Sequence, residues 1–281
     1  MIFRCRQHEF DLTRRVLLMG ILNVTPDSFS EHGENYAPAR AVASGVALAA
    51  AGADVLDVGG ESTRPGAPPV GAAEERARVV PVIRGLREHL TLPISVDTYK
   101  ADVARAALAA GADIINDISG FRRDPGMAAV AAETGAGAIV MHMRGTPQTM
   151  QQQTEYADLF GELDAFFADA IARLTAAGVA REAIVLDPGI GFAKTAAQNL
   201  QLINGLDHFA GHGRPLLLGP SRKSFIGKTL GIDDPGQRQW GTAAAVACGI
   251  ARGARLVRVH DVAEMRQVRD LAAAIAFSPA S

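Results

Sequence analysis

The chain has 281 residues, 48% of them hydrophobic, and a formal net charge of −2 at pH 7. This length suits one large α/β domain or two ordinary ones, and the near-neutral charge predicts no general attraction to nucleic acid or anionic membranes. The apolar runs are interrupted before they reach membrane-spanning length, and residues 1–15 lack the apolar core of a secretory signal. We therefore expect a cytoplasmic protein.

The two cysteines, Cys5 and Cys248, lie far apart in the sequence. Their spacing predicts neither a disulfide framework nor a zinc site. Cys248 stands among small apolar residues in the stretch AVACGIA, so we expect its side chain to be buried.

Eight short apolar runs follow one another along the chain, and each is typical of a parallel strand that is covered on both faces. They occupy residues 16–25, 53–60, 93–99, 112–120, 137–143, 183–189, 214–221 and 254–262. Several are preceded by an Ala-rich stretch and a Gly, as in AAAGADVLDVGG and LAAGADIINDISG. A Gly at this point suits the left-handed residue that closes a helix.

Segments rich in Ala, Arg and Glu separate these runs, and residues 71–90 are a clear example of a predicted helix. Alternating strands and helices predict a parallel sheet, and eight units in about 250 residues predict a closed (β/α)8 barrel. A doubly wound sheet is the alternative, but it would need a Gly-rich dinucleotide turn after the first strand, and GILNVTPDSFS is not one. We expect residues 16–281 to form a single barrel domain, and residues 1–15 to form a short strand or hairpin that caps its bottom.

Polar residues stand at the carboxyl ends of the predicted strands. They are Asn23, Asp57, Asp97, Asn116, Asp117, His142, Asp187, Ser221, Arg222, Lys223, Arg258 and His260. Because the active site of such a barrel lies at the carboxyl ends of its strands, we expect these side chains to meet. Asp57 and Asp117 could instead be helix caps or barrel-rim partners, and His142, between two methionines, is expected to be a packed histidine rather than a ligand.

Two subsets of these residues suit different ends of a substrate. Arg258 and His260 are two residues apart on one strand and should share a face. With Asn23, Thr63 and Arg64 they would suit a diphosphate and Mg²⁺. An Arg guanidinium can donate two parallel hydrogen bonds to phosphate oxygens, and an amide oxygen can hold Mg²⁺. An ion pair with Asp261 or another acid is the alternative for Arg258.

The second subset would suit a flat heterocycle. Its members are Asp97, Asn116, Asp187 and Lys223. A carboxylate accepts two hydrogens from an amino-pyrimidinone edge, an amide suits a mixed donor and acceptor edge, and an ammonium donates to a ring oxygen or nitrogen.

The sequence resembles the dihydropteroate synthase family in eight stretches that occur in the family's order between residues 20 and 262. These are MGILNVTPDSFS, DVGGESTRPGA, SVDTYK, INDISG, MHM, LDPGIGF, SRKSFIG and RVHDV. The resemblance implies a TIM barrel that is typically a homodimer. It also implies condensation of a 6-hydroxymethyl-dihydropterin diphosphate with 4-aminobenzoate, in competition with sulfonamides.

The resemblance also implies a role for each site residue. Asn23 would hold Mg²⁺, and the diphosphate would contact Thr63, Arg64, Arg258 and His260. The pterin pocket would comprise Asp97, Asn116, Phe192, Asp187 and Lys223. The 4-aminobenzoate would lie against Phe29, Pro65, Arg222 and Ser224. The residues expected to act in catalysis are Asp97, Lys223, Arg258 and His260.

One departure and three rival functions accompany this resemblance. Where the family most often has Asp-Gly-Gly after PDSFS, this chain has Glu31-His32-Gly33. The rivals are a pterin-binding methyltransferase domain, a Schiff-base aldolase that uses Lys223, and a non-catalytic barrel that binds pterins or serves as a scaffold. The first would not need the diphosphate residues.

Overall fold

The computed structural model describes residues 1–25, 37–64 and 66–279. Within them, eight parallel strands close into a barrel, in which the last strand pairs with the first. The barrel strands are β3 (Leu17–Asn23), β4 (Val55–Gly59), β5 (Ile94–Asp97), β6 (Ile114–Asp117), β7 (Gly137–Met141), β8 (Ile184–Asp187), β9 (Leu216–Leu218) and β10 (Ala254–Val259). Each lies inside one of the predicted runs, so the predicted barrel is confirmed.

Helices follow the strands on the outside of the barrel. They are α1 (Ala37–Ala51), α2 (Ala72–His89), α3 (Ala101–Ala109), α4 (Met127–Thr134), α5 (Leu159–Ala176), α6 (Ala196–Asn204), α7 (Ser224–Leu230), α8 (Gln239–Ala251) and α9 (Val262–Ala276). The repeated Gly before a strand adopts the expected conformation, since φ is +110° at Gly52 and +117° at Gly111. The repeat in the sequence is therefore a repeated helix end.

Successive side chains along each strand point to opposite faces of the sheet, and this divides the apolar residues into two cores. One face of each strand packs outward against the helices, as Leu18, Val58 and Val96 do. The other face fills the barrel. The residues of this inner core are Leu17, Met19, Val55, Ile114, Ile139, Val185, Leu217 and Leu256, together with Phe3, Cys5 and Leu12.

An antiparallel hairpin lies against the amino ends of the barrel strands. Its strands are β1 (Ile2–Cys5) and β2 (His8–Asp11), which confirms the hairpin predicted within residues 1–15. Arg6 at its turn donates to the carbonyl oxygens of Leu108 and Ala112 at 3.1 and 2.8 Å. Phe3 is fully buried against the start of β7. The hairpin and the barrel share one core, and the domain boundary at residue 16 stays a prediction.

The prediction that Cys248 is buried is wrong. In α8 the buried residues are Thr242, Ala245, Val246, Gly249 and Ile250. Cys248 lies on the opposite face and is exposed. Small apolar residues occupy every face of this helix, so the sequence alone does not reveal which face is buried.

Across residues 1–25, 37–64 and 66–279, no helix combines the length and the apolar character that crossing a bilayer requires.

Replacing Phe3 tests the role of the hairpin. Phe3→Ala is expected to lower the free energy of unfolding by about 3–5 kcal/mol, because it leaves a cavity between the hairpin and the inner core. Urea denaturation measures this loss. Phe10→Ala is the matched control, since Phe10 is only partly buried beside the same core and should cost less. Equal losses for the two variants would contradict a plug centred on Phe3.

Candidate active site

Four neighbouring positions form a row around the carboxyl rim of the barrel. Asn23 on β3 is the Cα partner of Gly59 on β4. Gly59 is in turn the partner of Asp97 on β5, and Asp97 is the partner of Asn116 on β6. A Cβ at Gly59 would lie 3.6 Å from the Asp97 Cβ and 3.9 Å from the Asn23 Oδ1. The side chains of Asn23 and Asp97 therefore flank the same space, which Gly59 leaves open.

Arg258 forms a buried ion cluster just inside this rim. Its Nε donates to Oδ2 of Asp57 at 2.6 Å, and its Nη2 donates to Oδ2 of Asp97 at 2.9 Å. The Asn116 amide donates to the same oxygen of Asp57 at 3.0 Å. An ion pair was the alternative for Arg258, and it is present, although the acids are Asp57 and Asp97 rather than Asp261. The role of Arg258 toward a diphosphate stays a prediction.

Burial changes the protonation of this cluster. It raises the pKa of Asp97 to about 7, against the opposing charge of Arg258 and with the help of the nearby Asp57. Burial disfavours the charge of Arg258, but Asp57 and Asp97 raise its pKa above the usual value. Arg258 is therefore a permanent cation, whereas Asp97 gains and loses its proton near neutral pH.

The turn after β8 carries the second acid of the site. Asp187 ends this strand, and its Oδ1 accepts the Gly189 N–H at 2.7 Å. Gly189 has φ +70°, and a Cβ there would lie 2.0 Å from the carbonyl oxygen of His142, so only glycine fits. Burial raises the pKa of Asp187, and the positive charge of Lys223 opposes this effect.

Lys223 links this turn to Arg258. Its Nζ donates to the carbonyl oxygen of Ile190 and lies 4.6 Å from the ring centroid of Phe192. A Cβ at Gly219 would lie 3.9 Å from the Lys223 Nζ and 3.8 Å from the Arg258 Cβ. Burial lowers the pKa of Lys223 to about 8, with Asp187 opposing. The two acids, the amide and the two cations predicted from strand ends thus lie together at the carboxyl end of the barrel.

An apolar cluster lies beside these polar groups. Its members are Tyr99, Ile118, Met141, Met150, Phe192 and Ala193. Met141 is the Cα partner of Asp187, so it lies beside the acid on the inner side of the rim. The arrangement offers a flat apolar wall next to a polar edge, which suits a planar heterocycle.

His260 lies at the mouth of the barrel, just after β10. Its backbone N–H donates to the Ser221 Oγ at 3.2 Å, and its Nδ1 lies 2.9 Å from the same oxygen. Burial, followed by the charges of Arg258 and Arg222, lowers the pKa of His260 to about 4, so the ring is neutral at pH 7. Exposed Arg64 also acts on this pKa, which places its charge on the same side of the barrel.

Arg222 and Ser224 stand on either side of Lys223, before and at the start of α7. Arg222 has φ +57°, its Nε donates to Asp261 at 3.0 Å, and its backbone N–H donates to the Thr242 hydroxyl at 3.0 Å. Ser224 is the first residue of the helix and is exposed. Phe29 and Pro65, which were assigned to the same substrate, and the departure at Glu31-His32-Gly33 lie outside the described residues.

The loop that carries Thr63 and Arg64 is anchored by residues that the sequence analysis missed. The Lys100 ammonium is bonded to the carboxylates of both Glu61 and Glu75. The Tyr99 hydroxyl donates to the Glu61 Oε1 at 2.7 Å. Glu61 stands in the motif GGESTRPG and Lys100 in SVDTYK, but their distance in sequence gave no signal that they meet.

Two other polar residues at strand ends have structural roles. Asp117 accepts hydrogen bonds from the backbone and hydroxyl of Ser119, each at 2.7 Å, so it caps a turn. His142 packs edge-on against Phe166, with ring centroids 4.9 Å apart, and its Nδ1 lies 3.2 Å from the Lys194 Nζ. His142 is a packed histidine, as expected. Nothing in the sequence indicated that Lys194 would lie beside it.

Residues 19–260 match the family model of the pterin binding enzymes. The chain is 51% identical over 269 residues to the dihydropteroate synthase of Synechocystis, a match that covers 96% of this chain and 93% of that protein. The chain belongs to the dihydropteroate synthase family.

Solved structures of this family have the same fold. The Xanthomonas albilineans dihydropteroate synthase with 4-aminobenzoic acid superposes with a TM-score of 0.92 at 42% identity, over 99% of each chain. The Yersinia pestis dihydropteroate synthase in a sulfonamide drug complex gives 0.92 at 41% identity, over 99% of this chain and 100% of that chain.

The ion cluster of this family member can be tested through its pH dependence. Arg258→Met is expected to cost about 3–5 kcal/mol of stability at pH 8, because it leaves buried carboxylates without their cation. The pKa of Asp97, already about 7, would rise further. A folded state with raised pKa binds protons more strongly than the unfolded chain, so the cost should shrink as the pH falls to 5.

Urea denaturation of wild type and variant at both pH values measures this difference. Arg105→Met, which removes an exposed ion pair with Glu133, is the control and should cost under about 1 kcal/mol at either pH. A cost for Arg258→Met that does not change with pH would contradict the assigned pairing.

Proposed function

We propose that this protein condenses (7,8-dihydropterin-6-yl)methyl diphosphate with 4-aminobenzoate to give 7,8-dihydropteroate and diphosphate. The observation that carries the proposal is the gathering of Asp97, Asn116, Asp187, Lys223 and Arg258 at the carboxyl rim, where they would line one cavity. Membership in the dihydropteroate synthase family supports the same reaction, which makes the protein a transferase of folate biosynthesis.

The pterin ring would lie at the floor of this cavity. The Asp187 carboxylate would accept two hydrogens from the amino-pyrimidinone edge, and the ammonium of Lys223 would donate to a ring heteroatom. The part of the Asn116 amide that does not bind Asp57 would form hydrogen bonds with the ring edge that carries both donors and acceptors. The ring of Phe192 would cover the heterocycle from one side. Such charge-assisted hydrogen bonds contribute about 1.5–3 kcal/mol each.

The diphosphate would point to the mouth. Arg64 and Thr63 from the anchored loop would meet it there with His260, whose neutral ring can donate one hydrogen bond. Arg258 faces Asp57 and Asp97, so its charge would act on the departing oxygen from the floor.

Asn23 would hold Mg²⁺ in this arrangement. Within the described parts of the chain, no three His, Cys, Asp or Glu side chains are grouped to hold a metal. Mg²⁺ keeps several waters and binds substrate phosphates, so one amide oxygen beside the space left open by Gly59 fits this ion. Bound Mg²⁺ would neutralise charge that develops on the diphosphate.

Bond breaking places positive charge on the pterin methylene carbon. The C–O bond to the diphosphate breaks, and its electron pair leaves with the diphosphate. Asp97, when ionised, would stabilise the resulting cation from the rim. The amine nitrogen of 4-aminobenzoate then forms the new C–N bond and releases its proton to water. A weakly basic arylamine needs no strong general base.

The reaction can be tested by incubating the purified protein with both substrates and Mg²⁺ and measuring pyrophosphate release. Release that depends on 4-aminobenzoate is expected, together with competitive inhibition by a sulfonamide. Release that proceeds without the arylamine would overturn the proposal.

Asp187→Asn tests the pterin end. The variant is expected to weaken binding of free 6-hydroxymethylpterin by about 10- to 100-fold, because an amide cannot accept both hydrogens of the ring edge. Calorimetric titration measures the affinity. Asp169→Asn makes the same change in an exposed ion pair with Arg122 and should bind as wild type does. Unchanged binding by Asp187→Asn would remove that residue from the pocket.

A homodimer is part of the proposal. A groove of about 460 Å³ between α6, α7 and α8 is lined mainly by apolar side chains such as Ile203, Phe225 and Ile226. Leu230 and Trp240 are exposed beside it, Trp240 by 81%. An apolar patch of this kind marks an interaction site, and a second copy of the same face would cover it.

A cytoplasmic location belongs to the same proposal, because both cysteines are free thiols.

Trp240→Glu is expected to give a monomer of 29.5 kDa in size-exclusion chromatography with light scattering, while wild type runs at twice that mass. The charge would have to be buried in the interface. Leu271→Glu introduces the same charge at an exposed position on α9 and should leave the dimer intact. A wild-type monomer, or a Trp240→Glu dimer, would contradict the proposed interface.

A further inference from the structure

Lys194 is a buried lysine for which the proposed reaction has no use. It is only 3% exposed and lies between the β8 turn and α6. Its Nζ donates to the carbonyl oxygens of Gly189 and Phe192 at 3.2 and 3.0 Å and lies 3.2 Å from the His142 Nδ1. A buried ammonium is costly, so its position needs an explanation.

The three contacts match the three hydrogens of an ammonium. Two acceptors are carbonyl oxygens, and the third is the imidazole nitrogen of His142. Burial, followed by the charge of Lys194, lowers the pKa of His142 to about 2, so the ring is neutral and its Nδ1 can accept. All three partners are uncharged. They satisfy the hydrogen bonds of Lys194 without cancelling its charge.

The turn that Lys194 holds is the one that shapes the pterin floor. Asp187 opens this turn, Phe192 lies near its end, and the Ile190 carbonyl between them accepts from Lys223. Lys194 is bonded to the residues on both sides of Ile190, so it closes the turn into a small ring. Displacing it would move the acid, the aromatic ring and the Lys223 partner together.

The charge of Lys194 also acts on Asp187. The charged groups that favour ionised Asp187 are Lys223, Lys194 and Arg258. Burial lowers the pKa of Lys194 to about 7, and Asp187 opposes this effect while Lys223 and Arg144 add to it. Ionised Asp187 and protonated Lys194 therefore stabilise each other across the turn.

We propose that Lys194 is a positioning residue for pterin binding, which fixes the β8 turn through its three neutral acceptors and keeps Asp187 ionised through its charge. The inference rests on the proposed function. It assigns Lys194 no contact with either substrate. Its effect should fall on the pterin and not on the 4-aminobenzoate, whose proposed contacts Arg222 and Ser224 lie outside the β8 turn.

Lys194→Met tests this role, because methionine keeps the apolar stem and removes the ammonium. The variant is expected to bind free 6-hydroxymethylpterin about tenfold more weakly at pH 7, with the KM for 4-aminobenzoate unchanged. Asp187 would also gain its proton more easily. The acid loss of pterin binding should therefore begin at higher pH in the variant than in wild type, which a purely structural role would not produce.

Tyr156→Phe is the matched control. The Tyr156 hydroxyl donates to the carbonyl oxygen of Ala193 at 3.1 Å, so this change removes one neutral hydrogen bond to the same segment without altering its charge. It should leave the pH profile of pterin binding as in wild type. Lys194→Gln provides a second variant that retains a donor and loses the charge, and it should shift the profile in the same direction as Lys194→Met.

Two results would overturn the inference. One is pterin binding by both Lys194 variants with wild-type affinity and pH profile. The other is an equal loss of affinity for pterin and 4-aminobenzoate, which would indicate general damage to the barrel. Failure of the proposed function is distinct, because wild-type protein would then show no pyrophosphate release that depends on the arylamine.

Discussion

The active end of this barrel depends on one buried ion cluster, in which Arg258 pairs with Asp57 and Asp97. The pairs join β10 to β4 and β5, strands that are not neighbours of β10 in the barrel and that lie far from it in sequence. A cluster of this kind can form only after the barrel has closed. Once formed, it fixes Asp97 at the rim, because each buried charge would be costly without the other.

This cluster gives Arg258 two acidic partners that the sequence did not identify. Arg258 was assigned to the diphosphate with His260, which stays a prediction, and its guanidinium is paired with Asp57 and with Asp97 at the rim. Arg64 is an exposed cation near the mouth, on a loop held through Glu61 and Lys100. Arg258 also affects protonation: its charge favours ionised Asp97 and opposes the burial that raises the pKa of this carboxyl to about 7.

The sequence predicted the fold well because each unit carries its own signals. Eight apolar runs, the Gly that ends a helix and the Ala-rich helices are local features, and parallel strands of this kind leave few ways to pack. It also predicted that polar strand ends would meet, since a barrel brings all of them to one rim. It did not predict that Arg258 would pair with Asp57 and Asp97 or that Glu61 would pair with Lys100. It also did not predict that Cys248 would be exposed. Such pairings depend on distances across the barrel and on helix rotation, which strand and helix patterns do not encode.

The two layers of the barrel interior explain how so many buried charges are tolerated. Below the rim, the aliphatic side chains and the hairpin residue Phe3 form a dry plug, and this apolar burial is the main source of stability. Above it, Asp187 accepts a hydrogen bond from a backbone N–H, and Lys194 and Lys223 donate to backbone carbonyl oxygens. A cavity whose charges are already fixed in place needs little reorganisation when a cation forms on the substrate. The plug and the charged floor are therefore two parts of one arrangement, since stability supplied by the lower layer allows the upper layer to remain polar.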